Sequence, residues 1–138
     1  MFLIDTSAWL FVLGPKALDR LRERVTPLVL ENQAATTPPV MFEILRGART
    51  LREAEALRSR LSSLHVLPFA EPDWTEAAEW AARVARQGLT VKSMDLLIAF
   101  IARKHGLTLL HADTDFDHLA KAVHLKVESW VEETRRAG

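Results

Sequence analysis

Five short runs set the fold of this chain. "FLI" stops at an acidic residue, and "AATT" at 34 to 37, "HVLPF" at 65 to 69, "LTLLH" at 107 to 111 and "LKVES" at 125 to 129 follow it, each separated from the next by a helical pattern. The first is apolar on consecutive residues, as a strand buried on both faces must be. Strands alternating with helices in this way make a parallel sheet covered by helices. The expected fold class is therefore α/β, with about five short parallel strands and helices on both faces. At 138 residues and 49% hydrophobic content the chain can bury a core without staples, and one domain over residues 1–138 is expected.

The helices carry their own start and stop signals. Thr50 and Glu53 have the spacing of a capping box ahead of "LREAEALRSRL". Asp73 is expected to cap a helix running to Gln87, with Trp74, Ala77, Trp80, Ala81 and Val84 as its apolar stripe and Gly88 just past its end. A third helix is expected from Ser93 to about His105, stopped by Gly106. The sequence contains no low-complexity segment and no internal repeat.

Function is written mainly in the acids. Aspartates at 113, 115 and 117 open like a calcium-binding loop, but the sixth and twelfth positions are His118 and His124, where such a loop needs its turn glycine and its closing glutamate. That excludes an EF-hand. Side chains that cap the following helix account for one or two of the three. In open parallel sheets, however, ligands bind outside the carboxyl ends of the strands, and the acids follow that geography. Asp5 ends the first strand, Glu43 lies about one turn into the helix after the second, and Asp113 and Asp115 follow the fourth. Asp95 sits in the first turn of "SMDLLIAFIA", a helix apolar on nearly all sides, so its carboxylate needs a partner. Capping or dipole roles remain open for Asp5 and Asp95 taken singly. Taken together, acids this close would raise one another's pKa unless a cation compensated them, and an all-oxygen set selects a hard ion such as Mg²⁺ or Mn²⁺. No cysteine is available for a thiolate site or a disulfide, which fits a reducing cytoplasm.

"LIDTSAW" at the N-terminus, "FEILRGA" at 42 to 48 and "GLTVKSMDLLIAFIARKHGLTLLHADTDFDHLA" at 88 to 120 resemble, in that order and spacing, the PIN-domain ribonucleases, most closely the VapC-type toxins of bacterial toxin–antitoxin pairs. The resemblance runs over essentially the whole chain. It implies metal-dependent endonucleolytic hydrolysis of RNA, with the metal-binding acids at Asp5, Glu43, Asp95 and Asp113, Asp115 as an auxiliary acid, and the family's hydroxyl at Ser7 beside Thr6. It further implies that Asp5, Asp95 and Asp113 contact the ion directly or through water, that Glu43 holds water near it, and that a cognate antitoxin restrains the enzyme. Asp117 is expected one step beyond the site, inside the helix and facing solvent, with Phe116 and Leu119 on the buried side.

Eighteen basic and eighteen acidic residues cancel, so an RNA partner must be held by a local patch. Arg46, Arg49 and Arg52 follow Glu43 at helical spacing and Lys92 precedes Asp95; a solvated helix face competes with phosphate binding for each. Trp9 and Phe11 read as core or dimer surface, and the "AWLFVL" run suggests a homodimer. Nothing resembles a signal peptide, and the apolar run Leu96–Ala102 is far shorter than the roughly 20 residues of a membrane span, so no membrane partner is expected. Two other classes remain. An aspartyl phosphotransferase needs a second acid where Ser7 stands. A non-catalytic module could instead use the acidic crevice to bind a basic segment.

Overall fold

The computed structural model describes residues Met1–Ala137. In chain order the elements are β1 (Phe2–Ile4), α1 (Thr6–Leu13), α2 (Asp19–Leu30), β2 (Ala34–Thr36), α3 (Pro38–Leu45), α4 (Leu51–Ser62), β3 (His65–Val66), α5 (Glu71–Arg86), α6 (Ser93–Lys104), β4 (Thr108–His111), α7 (Thr114–Ala122), β5 (Val127–Ser129) and α8 (Val131–Ala137). All strand pairs are parallel and the spatial order is β3-β2-β1-β4-β5. Successive crossovers step outward from β1 to β3 and then return to the other side at β4. Right-handed connections put the helices before β3 on one face and those after it on the other. The direction of winding reverses between β1 and β4, where the carboxyl ends of neighbouring strands diverge and leave a crevice.

The central strands are apolar because both their faces are covered. Leu3, Ile4, Ala35, Leu109 and Leu110 have no exposed surface, and each buried leucine or isoleucine contributes about 2 kcal/mol relative to an exposed one. The edge strands are short and partly polar. The expected "HVLPF" strand is only His65–Val66: Leu67 still donates to Thr36 O, but Pro68 lacks the N–H that would extend the ladder. At "AATTPP" the strand stops at Thr36, and Pro38 and Pro39 occupy the first turn of α3, where proline's missing N–H costs nothing.

The helix signals behave as expected at three ends and differently at a fourth. Thr50 caps α4 by accepting from Glu53 N, while Gly88 and Gly106 take the positive φ that follows α5 and α6. Asp73, however, does not cap α5. The helix starts two residues earlier, at Glu71, because Pro72 is tolerated in its first turn. Asp73 therefore lies inside that turn, accepts from Ala70 N, and pairs with Lys104 of α6. α6 buries Ile98, Ala99, Phe100, Ile101 and Ala102, as its all-round apolar pattern requires. Among the described residues, no helix is long and apolar enough to cross a membrane.

Candidate active site

The reversal of winding brings two strand ends side by side, and each is followed within two residues by an aspartate. Asp5 N donates to Leu110 O at 2.9 Å, which ties the exit of β1 to that of β4. Asp5 is also the N-cap of α1: its Oδ2 accepts from Ser7 N at 3.0 Å and from Ser7 Oγ at 2.6 Å. Ser7 Oγ in turn accepts from Ala112 N at 2.9 Å, so one hydroxyl links the two strand exits. The capping expectation for Asp5 is met, and it occupies only one of the two oxygens. Oδ2 caps, and Oδ1 is buried without a hydrogen-bond partner.

Asp113 repeats this arrangement after β4. It is the N-cap of α7, with Oδ1 accepting from Asp115 N at 2.9 Å. Asp95 enters from the first turn of α6, is 8% exposed, and also carries a buried orphan, Oδ2. Carboxylate oxygens of Asp95, Asp113 and Asp115 lie within 4.8 Å of one another. Glu43 reaches in from α3, with Oε1 accepting from Thr6 Oγ1 at 2.9 Å.

Electrostatics bind these acids into one site. Burial, reinforced by the charges of Asp5, Asp113, Glu43 and Asp115, pushes Asp95 up to about 7. Burial also pushes Asp5 up to about 6 against the hydrogen bonds from Ser7, and Glu43 adds to the rise. Such a set is unfavourable alone and favourable around a cation. The two orphaned buried oxygens and the three clustered carboxylates are hard oxygen donors, so the residues fit a divalent cation of the Mg²⁺ type.

The residues singled out in the sequence distribute unevenly. Asp5, Glu43, Asp95, Asp113, Asp115 and Ser7 all come together here. Arg46 and Lys92 are exposed, at the C-cap of α3 and the N-cap of α6 respectively, and among the described residues neither pairs with these acids. Arg49 lines a groove of about 490 Å³ that begins at Glu43 and runs past Trp9, Leu10 and Leu13. Trp9 is 95% buried in the core, and its Nε1 has no partner there.

Asp117 departs from expectation. It lies in α7 and is still partly open to solvent, with 30% of its side chain exposed, but it is not free: its Oδ2 accepts from Ser129 Oγ at 3.1 Å, and its Oδ1 stands 3.3 Å from Nε2 of the wholly buried His111. That distance lacks hydrogen-bond alignment, so Nε2 stays unpartnered. Burial pushes the His111 pKa down, while Asp117 and Asp113 oppose the fall. The sequence signal for His111 was its place at the end of an apolar strand. Thr6 as the partner of Glu43 had no signal at all, because its α3 neighbour is 37 residues away.

Known proteins resemble this chain over nearly its whole length. Residues 2–122 match the family model described as "PIN domain". Ribonuclease VapC11 of Mycobacterium tuberculosis is 37% identical over 136 residues, covering 94% of this chain and 99% of its own. Among solved structures, VapBC2 from Rickettsia felis, bound to a DNA fragment from its promoter, superposes with a TM-score of 0.77 at 20% identity, over 94% of this chain and 98% of that one. VapC20 of M. tuberculosis, described as a sarcin-ricin loop cleaving toxin, superposes at 0.64 with 22% identity, over 86% and 95%. The fold and the relatives agree, and the chain belongs to the PIN-domain family, among the VapC ribonucleases.

Proposed function

We propose that this chain is a divalent-metal-dependent endoribonuclease, the toxin of a toxin–antitoxin pair, hydrolysing phosphodiester bonds in RNA in the cytoplasm. Residues 1–138 act as one domain. The observation that carries the reading is the convergence of Asp95, Asp113 and Asp115 with the unpartnered Oδ1 of Asp5 at the point where the sheet reverses its winding. Names of relatives add the substrate class, since VapC11 is a ribonuclease and VapC20 a sarcin-ricin loop cleaving toxin.

In this reading Asp5, Asp95, Asp113 and Asp115 hold the cation, Mg²⁺ or Mn²⁺. A bound ion of this kind acidifies water and neutralises charge building on the phosphate. The protein's own groups then do the positioning. Ser7 fixes one oxygen of Asp5 and leaves the other facing the crevice. Thr6 holds Oε1 of Glu43, and Oε2 is left to orient an attacking water. Arg46 and Lys92, both exposed at ends of the helices that carry Glu43 and Asp95, supply positive charge for substrate phosphates. The apolar groove beside Glu43, with Leu10 and Phe42 exposed near it, suits an antitoxin segment, and the active unit is a homodimer.

The test is to incubate the purified chain with total RNA and Mg²⁺ and sequence the new 5′ ends. Discrete ends that disappear with Asp113→Asn support the proposal. Identical ends from wild type and variant refute it.

A further inference from the structure

The loop carrying Asp113 and Asp115 is held from beneath by a histidine. His111 closes β4 with no exposed surface, its ring packed 5.2 Å from that of Phe116, and its carbonyl accepts from Trp130 N at 2.8 Å. Its Nδ1 accepts from Asp113 N at 3.1 Å. An acceptor nitrogen carries no proton, so the ring proton of neutral His111 is on Nε2, the side that faces Asp117. The β4–β5 register sets His111 opposite Ser129, and Ser129 Oγ donates to the other oxygen of Asp117. One end of this chain of contacts is the edge of the sheet, and the other is the backbone N–H of a cluster aspartate.

We propose that His111, fixed in its Nε2–H form beside Asp117, is a positioning residue that sets the backbone of Asp113 and hence the direction in which the Asp113 and Asp115 carboxylates point. The claim rests on the reading of Asp113 as a metal ligand. The amide that His111 receives belongs to the N-cap residue, whose carboxylate is itself held by Asp115 N. A swing of that peptide would therefore turn both acids away from Asp95 together. Side chains that orient metal ligands from behind in this way typically contribute about 10- to 100-fold in metal affinity.

Two replacements isolate the contact. His111→Phe keeps the ring against Phe116 and removes both nitrogens, whereas His111→Asn places an amide oxygen near the position of Nδ1 and retains the acceptor. The readout is Mn²⁺ affinity of the full chain by isothermal titration, with Asp113→Asn as control and a thermal melt of each variant. The expected pattern is a loss of about tenfold or more for His111→Phe and a loss of less than about threefold for His111→Asn. Phe and Asn variants of equal affinity would overturn the proposal. If Asp113→Asn itself bound Mn²⁺ as wild type does, the metal reading would fail instead. Should His111→Phe not fold, ¹⁵N spectra of the wild-type ring decide: an unprotonated Nδ1 and protonated Nε2 are expected, and a protonated Nδ1 refutes the proposal.

Discussion

Replacing Asp95 by asparagine should make the metal-free protein more stable while removing its function. Burial and four neighbouring acids raise this carboxyl from 3.8 to about 7. At about 1.4 kcal/mol per pH unit, keeping it ionised in the folded chain costs roughly 4 kcal/mol. Part of that cost is repulsion shared with Asp5, itself raised to about 6, so the two figures do not simply add. A folded pKa above the unfolded one means that this group holds more protons in the folded chain, so its contribution to stability falls as pH rises from about 4 to about 7. Asparagine keeps the size of the side chain and removes the charge. In EDTA at pH 8, Asp95→Asn should therefore be more stable than wild type by about 2–4 kcal/mol, against little difference near pH 4. Urea unfolding followed by circular dichroism at both pH values measures this, and Mn²⁺ should stabilise wild type and not the variant. A variant less stable than wild type in EDTA at pH 8, or a stability difference between the two that does not grow from pH 4 to pH 8, would refute the electrostatic account.

Other outcomes follow from individual contacts. Thr6→Val removes the hydrogen bond to Glu43 and keeps the shape, so kcat should fall about 10- to 100-fold, as expected for a bond to a charged group, while Thr6→Ser stays near wild type. Ser7→Ala leaves Ala112 N without its acceptor and removes one of the two donors to Oδ2 of Asp5; chemical denaturation should show a loss of about 1–3 kcal/mol. Asp113→Asn should lose nearly all cleavage with its melt intact, whereas Asp115→Asn should lose an intermediate amount that raised Mn²⁺ partly restores in a titrated cleavage assay.

The parts of the site legible in the sequence were those set by local rules. Asp5 stood out because a buried strand stopped at it, and Asp95 because a carboxylate headed a helix apolar on nearly every side. Glu43 stood out among apolar neighbours on a helix that leaves a strand end. The sheet order was not legible: winding that reverses at β4 depends on which strands pair, and short runs do not encode their partners. The partners of Asp117 were missed for the same reason, though its side chain is partly exposed as expected. Helical position alone turned it outward, while the β4–β5 pairing supplied Ser129 and the end of β4 supplied His111. Asp73 failed at a boundary, where a tolerated proline extended the helix past the residue expected to cap it. The antitoxin and RNA came from resemblance, since an acidic crevice suits a basic segment as well as a cation.

The central claim is that the acids at the reversal of winding hold a divalent cation needed for RNA hydrolysis. Its most direct test is cleavage of a defined single-stranded RNA by the purified chain, first in excess EDTA and then after Mg²⁺ or Mn²⁺ is returned. The account predicts that cleavage stops in the chelator, returns with either ion, and returns with neither in Asp95→Asn. Cleavage that continues undiminished in excess EDTA would contradict it.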